Sequence, residues 1–78
     1  MSQSAEQVLD QVYLEVRAKI LEVGASLDRI SRSSGDVASD ERIQKLLAGI
    51  EALGTSDDNR AERIQLIFSD DYVDGWNQ

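Results

Sequence analysis

Leu9, Tyr13, Val16, Ile20, Val23, Leu27 and Ile30 recur at intervals of 4, 3, 4, 3, 4 and 3. Side chains at this spacing return to one side of an α-helix, whereas the two-residue period of a strand would scatter them over both faces. The pattern predicts one long amphipathic helix from about Ala5 to about Arg32. At about 1.5 Å per residue it would be about 40 Å long. Its apolar side has to lie against something.

Local signals agree with those ends. Ser4 can cap a free backbone N–H, and Gln7 three residues later completes a capping-box pattern. Glu15 with Lys19, and Asp28 with Arg32, are i, i+4 pairs in the favourable order. Arg29 and Arg32 place cations at the negative end of the helix dipole. The apolar surface is also wide. Leu14 and Leu21 form a second line about 100° around from Tyr13 and Ile20. Such a surface suits a helix touched by two neighbours. Gly24, between the two lines, is expected to admit a neighbouring backbone at close range.

The remainder reads as helix too. The chain has no proline and no run that alternates apolar and polar residues over a strand's length. Ser31 to Asp36 is rich in serine and holds Gly35, which predicts a loop with a glycine stop. Ser39 or Asp40 caps a second helix, over about 40–53, with apolar Ile43, Leu46, Leu47, Ile50 and Leu53 and a terminating Gly54. Thr55 to Asn59 is a turn dense in capping residues. A third helix follows over about 58–69, with Ile64, Ile67 and Phe68 on one face and Leu66 off it. Residues 70–78 read as an acidic tail without helical period that holds Tyr72 and Trp76. Those two aromatic residues either pin the tail to the helices or serve as a recognition segment.

Chemistry is excluded class by class. The 78 residues include no cysteine and no histidine. A disulfide, a thiolate metal site and the commonest general base are therefore missing. No imidazole can activate a serine. No glycine-rich phosphate loop is present. The carboxylate pairs Glu6–Asp10, Asp36–Asp40 and Asp70–Asp74 lack the Glu-x-x-His motifs of di-metal bundles. They also lack the Glu-x-x-Glu with a later Glu-x-x-Asp that helical nucleotide pyrophosphatases use for magnesium. Asp70-x-Tyr72-x-Asp74-Gly75 partly matches the start of a calcium loop, but tyrosine takes a ligand position and the sequence ends before the bidentate glutamate. Arg42, Arg60 and Arg63 have acids beside them and read as ion-pair partners rather than an anion site.

The net charge is −7, and residues 55–78 hold six acids against two bases. That excess disfavours nucleic acid and anionic lipid. No apolar run approaches the roughly 20 residues that span a bilayer. The N-terminal Met-Ser-Gln-Ser-Ala-Glu has neither the basic start nor the apolar core of a signal peptide, so the cytoplasm is the expected location.

The expected architecture is all-α: a three-helix bundle in one domain, 1–78, with one long N-terminal helix and a hairpin of two shorter ones. In it Val16, Ile20, Val23 and Leu27 are buried against Ile43, Leu47 and Ile50. The short helices cover only part of the long one, which leaves Val8, Leu9, Val12 and Tyr13 as an exposed interface, with Tyr72 and Trp76 as a second. The expected function is a small non-enzymatic module that binds a protein partner or a second copy of itself, with no cofactor and no metal. The alternatives are an acidic decoy that imitates nucleic acid on a basic protein surface, or a weak binder of ions or small ligands.

Overall fold

The computed structural model describes residues 3–76, and their side chains over 3–69. It contains three helices in chain order: α1 (Ala5–Arg32), α2 (Glu41–Leu53) and α3 (Arg60–Trp76). Among the described residues there is no strand. The all-α class, the long first helix and the contact between the two shorter helices are as the sequence predicts. The chain divides into two compact units, Met1–Gly35 and Asp36–Gln78.

The first unit is α1 with its caps. The Ser4 backbone N–H donates to Gln7 Oε1 at 2.8 Å, and the Gln7 N–H donates to Ser4 Oγ at 3.1 Å. Two of the free N–H groups at the helix start are thereby satisfied reciprocally. At the other end the Ser33 N–H donates to the Ile30 carbonyl, and its hydroxyl to the Arg29 carbonyl at 2.7 Å. Gly35, at φ +93°, takes the left-handed turn that a Cβ would strain.

In the second unit, Asp40 is the N-cap of α2. Its carboxylate accepts from the Arg42 N–H at 2.8 Å and holds the Arg42 guanidinium at 2.9 Å. These bonds push the Asp40 carboxyl down to about 2. α2 ends at Gly54, whose N–H bonds back to the Glu51 carbonyl. Arg60 and Arg63 then clasp the turn into α3. Arg60 Nε donates to the Thr55 carbonyl at 2.7 Å, and Arg63 Nη1 donates to Asp57 Oδ2 at 2.8 Å and to Thr55 Oγ1 at 3.1 Å. The arginines are turn and ion-pair partners, as their acidic neighbours suggest.

The two short helices meet through small residues. Gly49 and Ala52 are buried, and Ala48 is half-buried. A Cβ on Gly49 would lie 3.5 Å from Phe68 Cε2 and 3.9 Å from Ile64 Cγ2. Lys45 Nζ reaches across to the Ile67 carbonyl at 3.3 Å. Ala52 is the one buried apolar side chain among the described residues.

Three expectations need correction. Val16, Ile20 and Val23, expected to be buried, are exposed and Leu27 is only half-buried, and among the described residues α1 has no buried one. On α2, Leu47 and Ile50 are likewise exposed and Ile43 half-buried. α2 turns a row of small residues to α3, because small side chains let two backbones approach, and its larger apolar residues fall outside that row. Residues 70–76 of the expected irregular tail are helical, since α3 continues to Trp76. No proline interrupts it, and Ile64, Phe68, Tyr72 and Trp76 are spaced four apart, the helical period that the aspartates around them obscure.

Candidate interaction surface on the long helix

α1 is a 28-residue helix whose apolar side is presented rather than packed. Along the stripe Leu9 is 56% exposed, Tyr13 57%, Ile20 62% and Ile30 39%. On the second line Leu14 and Leu21 are 72% and 57% exposed. The fall towards Ile30 places the greater part of the open apolar area between Leu9 and Leu21.

A shallow concavity lies in this stretch, lined by Leu9, Val12, Tyr13, Val16, Arg17, Ile20 and Leu21. It arises because residues three and four apart stand side by side, and the rows they form leave holes of side-chain size between them. Of the four interface residues expected at this end, Leu9, Val12 and Tyr13 come together here. Val8 is exposed but lies outside the concavity. It lies five positions before Tyr13, which turns it about 140° away on a helix. Val16 and Ile20, which the sequence reading assigned to a buried core, belong to the open surface, and Arg17 and Leu21 join them. The unbroken heptad already placed the two apolar residues beside Tyr13. Tyr72 and Trp76, the other expected interface residues, lie outside the described side chains.

The charges around the concavity fall into two groups. Lys19 Nζ holds Glu15 Oε2 at 2.8 Å, and Arg32 lies 3.9 Å from Asp28. The hydrogen bond and attraction within the first pair lower the Glu15 carboxyl and raise the Lys19 ammonium from their ordinary values. Asp10 and Arg17 are seven residues apart and flank the apolar stripe on one side. Neither has an ion-pair partner among the described residues.

A second, more polar depression is formed by Glu41, Gln44, Lys45 and Ala48 of α2 with Ile67 of α3. Among the described residues no group of three or more acidic, histidine or cysteine side chains could hold a metal ion. No described helix is long and apolar enough to cross a membrane. The chain matches no protein-family model, no curated protein and no solved structure.

Proposed function

We propose that the protein is a non-enzymatic interaction module that docks another helix against α1, acting in the cytoplasm. The observation that carries this reading is the unbroken heptad stripe with its open concavity at Leu9, Tyr13, Val16 and Ile20. Residues of this size at this spacing form the holes that receive the side chains of a facing helix. A contiguous apolar patch on a small protein marks an interaction surface. The negative charge is concentrated in the second unit, where it keeps the module soluble without crossing the α1 stripe.

The test is binding by the whole chain and by a variant carrying Leu9→Glu and Ile20→Glu. Sedimentation is read across concentration, and crosslinking with mass spectrometry in host extract identifies anything captured. Association of either kind, lost in the variant, is the expected result. A wild-type monomer that captures the same set of proteins as the variant would remove the interaction reading.

A further inference from the structure

We propose that the helix docked on α1 is the α1 of a second copy, antiparallel, with the two-fold axis between Leu14 and Glu15. The inference rests on the interaction reading above and adds the partner, its orientation and its register.

Orientation in paired helices is set by the charges that flank the apolar seam, and by the shapes of the residues in it. In α1 the seam alternates Leu9, Val16, Val23 and Ile30 with Tyr13, Ile20 and Leu27. The first set occupies the positions that parallel two-stranded coils give to leucine, and three of its four members are β-branched. A parallel pair would also bring Asp10 beside Ala5 of the partner subunit, and Arg17 beside Val12 of the partner subunit, so neither charge finds its opposite. An antiparallel pair over the full length sets Arg17 against the partner's Arg17 and Lys19 against the partner's Lys19.

Sliding that pair by one heptad reverses the electrostatics. Asp10 then faces the partner's Arg17, and Arg17 the partner's Asp10. These are the two flanking charges that α1 leaves unpaired. In the same register Leu9 packs on the partner's Ile20 and Tyr13 on the partner's Val16, each twice by symmetry. On the other flank Val12 meets the stem of the partner's Lys19, an apolar surface under a charged tip. Of the residues that line the concavity this register covers Leu9, Val12, Tyr13, Val16, Arg17 and Ile20, with the two-fold axis near its midpoint, and leaves Leu21 on the second line outside the seam. Two independent features, the open apolar holes and the unsatisfied charge pair, select one register.

The chain has no cysteine, so single cysteines can carry spin labels without background. Gln11 and Ala25 both point away from the seam and suit this purpose. At about 1.5 Å per residue the proposed register offsets the two labels along the helix axis by about 10 Å at Gln11 and about 30 Å at Ala25. Full antiparallel overlap gives about 20 Å at both, and a parallel pair gives no offset at either. Charge exchange supplies the second readout. Asp10→Arg and Arg17→Asp should each weaken the dimer roughly tenfold. An equimolar mixture of the two should form the heterodimer, and the double variant should recover wild-type affinity. Equal label distances at the two sites, or dimer affinity indifferent to both charge changes, would overturn the proposal. So would a folded monomer at high micromolar concentration. If that monomer still captures a foreign protein that Leu9→Glu and Ile20→Glu release, the interaction reading stands and only the second copy fails.

Discussion

Asp40 shows how one side chain can fix the start of an element and record it in a titration. Its carboxylate takes the Arg42 N–H and the Arg42 guanidinium together, and these bonds favour the charged form. The folded value is therefore depressed, to about 2 from an ordinary 3.8. Stability from a depressed carboxyl is complete above the unfolded value and is lost as pH falls through the folded one. The contribution of this cap should thus fade between those two values. Carboxyl carbon shifts followed by NMR should place Asp40 below the ordinary aspartate value, and Arg42→Ala should raise it towards that value. An Asp40 that titrates at the ordinary value would contradict the cap geometry. Gly24 is the converse, a residue whose special role the structure withdraws. A Cβ there would meet nothing within 4 Å among the described residues, so none of their backbones uses the space expected at Gly24. Gly24→Ala should then show only the gain in helix propensity, about 1 kcal/mol. Thermal melts by circular dichroism would detect it, and a destabilised variant would mean that something approaches Gly24 after all.

At the scale of elements, the ends of α1 were legible because each is marked by chemistry: the Ser4 and Gln7 reciprocal bonds, then the two arginines in the last turn. The face of α1 was legible from its period, as were Leu9, Val12 and Tyr13 in the candidate surface. Val8 is exposed too, but its angle around the helix sets it outside the concavity. That α2 and α3 pair was legible, but the residues through which they meet were not. Gly49 and Ala52 carry almost no hydrophobic signal, and a pattern search gives weight to Leu46, Leu47 and Ile50 instead, which are all exposed. What matters at Gly49 is room for the Phe68 ring and the Ile64 methyl. A single added methyl at 3.5 Å is ordinary contact, so Gly49→Ala should be tolerated and gain up to about 1 kcal/mol of helix propensity. Gly49→Leu should wedge the helices apart and cost about 1–3 kcal/mol, as overpacking does. Denaturant melts of the two variants should therefore move in opposite directions. Equal behaviour would show that α2 and α3 do not cross at Gly49.

For the whole molecule, the described residues bury too little apolar surface to act as a conventional core, and the cysteine-free chain has no covalent staple. On the proposed reading association adds stability, and it leaves a signature that internal packing does not. A species that binds only when folded has a melting point that rises with concentration. The α2–α3 hairpin makes its contacts within one chain, so its melting should not depend on concentration. α1 supplies 28 helical residues against 13 in α2 and 17 in α3, so about half of the far-ultraviolet dichroism follows it, while the Phe68 ring beside Gly49 reports on the hairpin through its NMR signals. Across a hundredfold range of concentration, the midpoint of the α1 part of the dichroism should rise on the order of 10 °C, and the midpoint of the Phe68 signals should stay where it is. Leu9→Glu with Ile20→Glu should abolish the first shift and leave the second midpoint unchanged. If both probes give one midpoint that ignores concentration, α1 draws its stability from within the chain, and its stripe is not where another helix binds.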